Sequence, residues 1–316
     1  MNFFVRRIGA AFVTLFLVSV FCFLAFTLLP GDPASLILGI EASGEQVAAL
    51  REELGLNRSL PERYLDWLGG LLSGNPGTSV RFQGEGISSL IRERLPVSFF
   101  LALLSLALIL FIAVPVSLFS VRREGNFVDR IVTVFTAIGI SAPGFFLGVL
   151  FIWIFGIGLR LFVPGVFVDY RVHFGGFIGS LFFPALAIAV PNAAIMVKFL
   201  RSSLFREKRR DYFRTARAKG AGVSPATRRH ALRNALIPSI TVLGMIAAEI
   251  FSGSIIIEQV FSIPGLGRLL IAAISSRDYP LIQTLVAYIA FIVIFINTIV
   301  DIVIQLIDPR IRLEGM

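Results

Sequence analysis

The feature that most constrains this chain is a series of long apolar runs that carry almost no charge. In lipid a backbone N–H or C=O group has no water to pair with, so a spanning segment must satisfy its own hydrogen bonds as a helix. One crossing needs about 20 apolar residues. Six runs meet that length, and we predict spans at residues 8–29, 97–121, 131–159, 174–197, 234–257 and 279–300.

The predicted fold class is an all-α polytopic membrane protein with six transmembrane helices. Mean hydropathy is +0.85 and only 16% of residues are charged, against about a quarter in soluble domains. The first run is expected to remain as a span, because it is longer than the apolar part of a signal peptide and lacks a small-x-small cleavage site. The predicted organisation is an N-terminus and first helix at 1–29, a small extracytoplasmic helical subdomain at 30–96, a five-helix core at 97–305 that includes a cytoplasmic loop at 198–236, and a cytoplasmic tail at 306–316.

Charge is distributed unevenly between the two sides of the predicted membrane. Residues 198–233 contain twelve Lys or Arg and two acidic residues, whereas residues 30–96 contain six basic and nine acidic residues. Basic loops stay on the cytoplasmic side, so the N- and C-termini are predicted to be cytoplasmic. The net charge of +9 then reflects one cytoplasmic loop, which membrane topology and lipid headgroups explain without nucleic acid.

The outer segment between the first two spans has helix signals. Ser43 and Gln46 have the spacing of a capping box, and Gly55 is placed to end the helix that they begin. Pro61 is expected to open a second helix with a broad apolar stripe. This subdomain is either a lid that stabilises the spans or a docking surface for an external partner.

Residues 198–238 have the pattern of a helix, a break and a second helix. "KRRDYFRTARAKG" is compatible with a helix, Gly220 and Gly222 interrupt it, and Ser224-Pro225 is expected to open the second helix. The small residues of the loop let another backbone approach closely, and its arginines favour acidic partners. This combination predicts a protein–protein contact that transmits motion.

The chemistry-bearing motifs that an enzyme would need are missing from the sequence. One cysteine and two histidines are too few for the usual all-protein zinc site. The sequence contains no GxxxxGK[ST], HExxH or GxSxG motif. We therefore predict a chain that is not an enzyme and that has no metal site and no cofactor of its own.

A few polar residues fall inside the predicted spans. Glu249 is an acid well inside a span, where a charge is unfavourable by at least ~2.5 kcal/mol, so it is expected to face a cavity or a partner. It either lines a transport pathway or bonds to a neighbouring helix. Asn192 and Asn297 are predicted to form hydrogen bonds between helices. Close helix packing is expected at Gly139, Gly144 and Gly148.

Several stretches resemble the membrane-spanning permease subunits of bacterial ABC importers, specifically the dipeptide/oligopeptide type. They are "DYFRTARAKGAG…RHALRNALIP" (211–238), "FSIPGLGRLL…SRDYP" (261–280), "LLPGDPASLILG" (28–39), "DPRIR" (308–312) and the outer segment 45–79. The broader importer family has a Glu-Ala-Ala-x-x-x-Gly loop motif. Here Arg214 and Thr215 replace its Glu and first Ala, whereas Ala216 and Gly220 match, and the peptide branch commonly shows this variant.

The resemblance implies that the inner loop is a coupling helix that sits in a groove of a separate ATPase subunit. The implied contact residues are Arg214, Thr215, Ala216, Arg217, Ala218, Lys219, Gly220 and Ala221. ATP and Mg²⁺ would then be bound by two partner ATPases, and a related second permease would complete the pathway in the bacterial inner membrane. A solute-binding protein would dock outside, with Pro264, Gly265 and Gly267 as candidate contacts or, equally, as a packed interfacial turn.

Three alternatives to a peptide permease remain open at this point. The same kind of importer carries nickel complexes, metallophores and oligosaccharides in other members of the family. A standalone channel or ion-coupled carrier would ordinarily have several intramembrane acids or inverted repeats. A nucleic-acid binder would need aromatic residues interleaved with the basic ones, and the loop offers only Tyr212 and Phe213.

Overall fold

The computed structural model is helical, and it describes residues 2–27, 33–38, 43–53, 55–82 and 84–307. Contacts within the chain divide it into two units, one of residues 1–98 and 264–295 and the other of 99–263 and 296–316. Residues 308–316 of the predicted tail, with its "DPRIR" stretch, and residues 28–32 and 39 of the predicted exit of the first span lie outside the described residues. The helices are α1 (Asn2–Thr27), α2 (Pro33–Leu38), α3 (Gly44–Glu53), α4 (Leu60–Ser73), α5 (Ile87–Arg122), α6 (Phe127–Ser141), α7 (Gly144–Phe151), α8 (Phe174–Lys208), α9 (Asp211–Ala218), α10 (Val223–Ala226), α11 (Leu232–Val260), α12 (Leu266–Ser275) and α13 (Tyr279–Ile307).

Among the described residues, five helices are long and apolar enough to cross a membrane, and a bent helix pair makes a sixth span if it is counted as one. The pair lies in the predicted span at 131–159, where α6 ends at Ser141 and the next helix leaves at 99°. Pro143 explains the break. Proline has no N–H to donate, and it pushes the preceding Ala142 into an extended conformation with ψ of 118°.

Several spans are longer than their apolar runs, and the extensions are greatest in α5 and α8. α5 begins at Ile87 rather than at residue 97, and α8 continues past residue 197 to Lys208. An apolar run measures only the part of a helix that lies in lipid, and it misses the polar turns that project beyond the membrane. The inner connection is therefore shorter than the predicted loop at 198–236.

In the first unit, the predicted helix ends of the outer subdomain are confirmed. The Gln46 N–H donates to the Ser43 hydroxyl and the Ser43 N–H donates to the Gln46 side chain, which is the reciprocal capping box. Gly55 ends this helix with a φ of +64°, in the left-handed region that glycine enters easily. α4 begins with a second capping box between Ser59 and Glu62.

The outer helix α4 packs against the first span. Phe23 of α1 meets the edge of Tyr64 with ring centroids 5.4 Å apart, and Trp67 lies 6.0 Å from the same ring. The hydroxyls of Ser19 and Tyr64 form a hydrogen bond of 2.7 Å. These contacts give the outer subdomain a role in stabilising the span, and its docking role stays a prediction.

A buried carboxylate holds the outer turn to the start of α13. Asp278 accepts hydrogen bonds from the Ser79 hydroxyl (2.5 Å) and the Arg81 N–H (3.1 Å). Its other oxygen accepts the Leu281 N–H in the first turn of the helix. Asp278 is fully buried, so these charge-assisted bonds tie residues 79–81 to α13 within the first unit.

In the second unit, α8 is the central helix, and α6, α7 and α11 pack against it. The three glycines predicted to allow close packing do so. A Cβ on Gly139 would lie 2.9 Å from the Ala194 Cβ, and one on Gly148 would lie 3.1 Å from the Phe261 ring. A Cβ on Gly144 would lie 3.4 Å from the Ala187 carbonyl oxygen.

Gly244 is the tightest of these approaches, and replacing it tests the packing of α11 against α13. A Cβ there would overlap the Cγ1 of Val300 and lie 3.0 Å from its Cγ2. We expect Gly244→Ala to destabilise the chain by about 1–3 kcal/mol through overpacking, measured by thermal unfolding in detergent. Val300→Ala, which removes both atoms, should restore most of the loss in the double variant.

Gly253→Ala on the same helix is the matched control, because a Cβ there meets nothing within 4 Å. Equal losses of stability for the Gly244 and Gly253 variants would contradict the close approach.

Candidate functional site

The candidate site is the segment that joins α8 to α11. α8 ends at Lys208, α9 covers Asp211–Ala218, and Gly220 then turns the chain with a φ of +88°. α10 (Val223–Ala226) and a π-helical turn (Thr227–Ala231) lead directly into α11. The predicted helix, break and helix are confirmed. The second helix opens at Val223, and Pro238 lies inside α11.

Phe213 anchors α9 to the rest of the second unit. It is 5% exposed although its neighbours along the chain, Tyr212 and Arg214, are exposed. Its ring packs in an apolar cluster formed by α5, α8 and the segment after Gly220. The other buried members of this cluster are Leu118, Val121, Leu200, Leu204, Ala226, Ala231 and Ala235.

The opposite side of α9 is open and basic. Arg214, Arg217 and Lys219 are exposed, and Ala218 and Gly220 are exposed between them. A Cβ on Gly220 would meet nothing within 4 Å. A partner backbone can therefore approach the loop at these two small residues while the cations flank it.

The remaining predicted contact residues help to define the shape of the loop. Ala216 and Ala221 are half-buried, and Ala221 packs against the Phe213 cluster. The exposed Thr215 donates its hydroxyl to the Asp211 carbonyl. Arg217 donates to the Ala221 carbonyl at 2.9 Å and so closes the turn around Gly220. The predicted contact set is therefore one continuous surface, with two members turned partly inward.

Tyr212 links the start of α9 to the end of α8. Its hydroxyl donates to the Glu207 carboxylate at 2.6 Å. Burial and this hydrogen bond raise the pKa of the Tyr212 hydroxyl above its usual value. The group therefore stays protonated, as a donor, at physiological pH.

A buried polar network fixes the helices from which the loop extends. Asp129 of α6 accepts the Ser120 hydroxyl of α5 at 2.5 Å and pairs with Arg201 of α8 at 2.8 Å. Lys208, the last residue of α8, pairs with Glu124 and also donates to the Val121 carbonyl. Because one carboxylate joins three helices, the network holds the base of the loop in one geometry.

The two polar residues assigned to the spans have different surroundings. The Asn192 amide donates to the Ile188 carbonyl of its own helix at 2.9 Å, and its predicted bond between helices stays a prediction. Pro184 and Pro191 lie in the same helix. Glu249 is exposed on α11, in line with the exposed Met245 one turn before it.

The structure of the turn before α12 favours one of its two predicted alternatives. Gly265 and Gly267 are buried within the chain and Pro264 is half-buried. A direct contact between these glycines and an external binding protein therefore disagrees with the structure, which matches the packed interfacial turn instead. The Leu266 N–H of this turn donates to the Ser98 hydroxyl at 2.8 Å. Among the described residues, no group of three or more His, Cys, Asp or Glu side chains is arranged to hold a metal ion.

The sequence analysis did not predict that Phe213 anchors α9 or that Asp129 and Arg201 form a buried polar network. Phe213 had a usable signal, since it is an apolar residue isolated among charged ones on a short helix. Asp129 and Arg201 had a weaker signal, since opposite charges at the ends of two predicted spans are not paired by sequence alone.

Two family models together match most of the chain. The family model for the inner membrane component of binding-protein-dependent transport systems matches residues 113–313, and the model for the N-terminal part of such components matches residues 1–102. A probable peptide ABC transporter permease of Sinorhizobium fredii is 38% identical over 97% of this chain and 98% of its own. A glutathione transport system permease of Pectobacterium atrosepticum is 36% identical over 99% of both chains. An oligopeptide transport system permease of Bacillus subtilis is 34% identical over 98% of both.

The seating of α9 can be tested at Phe213. We expect Phe213→Ala to release the helix, because a buried phenylalanine contributes about 3–5 kcal/mol. The measurement is hydrogen exchange of residues 211–219 in the full chain, which should speed up while exchange in α8 and α11 stays unchanged. Tyr212→Phe is the control, since it removes one hydroxyl and keeps the ring. Unchanged exchange in the Phe213 variant would show that α9 is held by something else.

Proposed function

This chain belongs to the family of inner membrane components of binding-protein-dependent transport systems, and we propose that it is the permease subunit of an ATP-driven importer of peptides. Its apolar helices and its family make it a multi-pass protein of the bacterial inner membrane. The peptide substrate is supported by relatives named as permeases for peptides, oligopeptides and glutathione at 34–38% identity over nearly the whole chain.

The observation that carries this proposal is the rigid, basic and open surface of α9. A helix of eight residues is too short to be stable alone, and here Phe213 and the Asp129 network hold it in place. A surface that is fixed to three membrane helices and left uncovered by its own chain is suited to receive force from a partner. We assign that partner as the ATPase, which would bind ATP and Mg²⁺ while this chain contributes no catalytic residue.

The contact is assigned to Arg214, Thr215, Ala216, Arg217, Ala218, Lys219, Gly220 and Ala221. Ala218 and Gly220 would sit closest to the ATPase backbone, because they are small and exposed. Arg214, Arg217 and Lys219 would face acidic groove walls, where complementary charge guides docking. Closure of the ATPases would then move α9 and, through the Phe213 cluster, α5 and α8.

The complete transporter would contain more chains. One loop offers one docking point, so two ATPases require a second, related permease beside this chain. An extracytoplasmic solute-binding protein would deliver the substrate, as the family description implies. An importer of the same build for nickel complexes, metallophores or oligosaccharides is the competing assignment of substrate.

The coupling contact can be tested at Ala218 and Gly220. We expect Ala218→Glu and Gly220→Glu to insert normally but to lower ATP-driven peptide uptake by at least about tenfold, because an unpaired charge buried at an interface costs about 2 kcal/mol or more. Uptake in cells and co-purification of the ATPase would be measured together.

Ala218→Ser keeps a small side chain at the same position and is the matched control for uptake. Ala218→Glu is the more informative of the two variants. Position 218 is helical, whereas any side chain at Gly220 adds the strain of a left-handed backbone conformation. Full uptake with normal ATPase binding in both Glu variants would overturn the assigned contact.

The role of Glu249 can be tested by the peptides that are transported. If its carboxylate lies in the pathway, Glu249→Gln should slow the uptake of basic peptides more than that of neutral ones, by about tenfold for one lost charge pair. Competitive uptake of peptides that differ only in one lysine is the measurement. Identical profiles for wild type and variant would remove the substrate role and leave a contact with the second permease.

A further inference from the structure

A groove between α5, α6 and the π-helical turn after α10 is lined by residues that have no role in the proposed transport function. Val114, Pro115 and Phe119 of α5 line it together with Val132 of α6. Its polar lining consists of Arg122, the last residue of α5, and Arg228 of the π-helical turn. Apolar walls and two guanidinium groups therefore meet at one end of the α5 span.

Two of the three guanidinium nitrogens of Arg122 lack acceptors within the described chain. Its Nε and one of its terminal nitrogens are buried and have no hydrogen-bond partner. A buried donor without an acceptor is unfavourable, and more so when it is charged. The arrangement therefore calls for an acceptor that the chain does not supply.

The charge of the groove is also not balanced by nearby acids. No acidic side chain is among the described residues that line it. The acids at the same end of α5 and α6 are engaged elsewhere, since Glu124 pairs with Lys208 and Asp129 pairs with Arg201. Arg122 and Arg228 bring two like charges to one groove, and an anion between them would relieve their repulsion.

We propose that this groove binds an anionic membrane phospholipid, with its phosphate between Arg122 and Arg228 and an acyl chain along Val114, Phe119 and Val132. A free phosphate would satisfy the arginines but would leave these apolar walls uncovered. The lipid source is favoured because the groove lies at the end of a membrane span, where Phe119 is 46% exposed, on the side from which the basic loop extends. Basic pockets between spans on the cytoplasmic side suit anionic headgroups.

The test is lipid binding by the full chain after extraction in mild detergent and removal of endogenous lipid. Native mass spectrometry would follow titration with dioleoyl phosphatidylglycerol, with dioleoyl phosphatidylcholine as the zwitterionic comparison. We expect Arg122→Gln/Arg228→Gln to weaken phosphatidylglycerol binding by about tenfold or more, because charge-assisted hydrogen bonds to the phosphate are lost.

Arg130→Gln/Arg229→Gln is the matched control. Both residues are exposed neighbours that do not line the groove, and the pair removes the same total charge. Its affinity should change by no more than about twofold. Arg228→Gln alone, at an exposed position, should also weaken binding, and it serves as the readout if the double variant does not fold.

A second pair of variants distinguishes a lipid from a free anion. Val132→Trp should fill the apolar part of the groove and abolish phosphatidylglycerol binding, whereas Val134→Trp, on an exposed position of the same helix, should not. Displacement of the lipid by inorganic phosphate, with no effect of Val132→Trp, would overturn the lipid assignment in favour of a free-anion site. Equal phosphatidylglycerol binding by wild type and the arginine variants would overturn the site itself.

Discussion

The structure depends on one constraint, which is that backbone polar groups inside a bilayer must find their partners within the chain. This constraint makes every apolar run helical and moves irregular backbone to the ends of the spans. The loop between α8 and α11 lies at such an end, where α9 is held from one side only. Its other side remains open, and the candidate site exists because of that asymmetry.

Phe213 and Asp129 position the loop in complementary ways. Phe213 attaches α9 to an apolar cluster. This hydrophobic contact is not directional, but it opposes the separation of α9 from the cluster. Asp129 fixes the relative geometry of α5, α6 and α8 through directional hydrogen bonds and an ion pair. A displacement of α9 therefore cannot be absorbed by one mobile loop, since it is passed to helices that run through the membrane.

The sequence predicted the features that depend on local chemistry. Apolar runs marked the spans, Ser43 and Gln46 marked a helix start, and Gly220 marked the break in the loop. It could not predict features that depend on which segments meet in space. The presence of Pro143 does not give the 99° angle of the bend after Ser141, and the burial of Gly265 and Gly267 needed the packed turn around them.

The candidate site was predicted as a set of residues but not as a surface with two sides. Small and basic residues in one stretch indicate a contact, whereas the orientation of each residue depends on the position of the cluster beneath them. Once Phe213 is placed inward, the exposure of Ala218 and the partial burial of Ala216 follow from helical periodicity. The bond from the Asn192 amide to the Ile188 carbonyl of its own helix was not predictable for the same reason.

The proposed lipid groove and the Phe213 cluster share a segment of α5. A lipid in the groove would therefore contact residues that support α9. Leu118 belongs to the cluster and also lines the groove, and Val114 packs against both. Arg228 lies on the π-helical turn whose Ala231 is buried in the same cluster. A phospholipid bound between Arg122 and Arg228 would therefore pack against the Phe213 cluster from the membrane side. The rigidity with which this cluster holds α9 would then depend on the lipid that surrounds the protein.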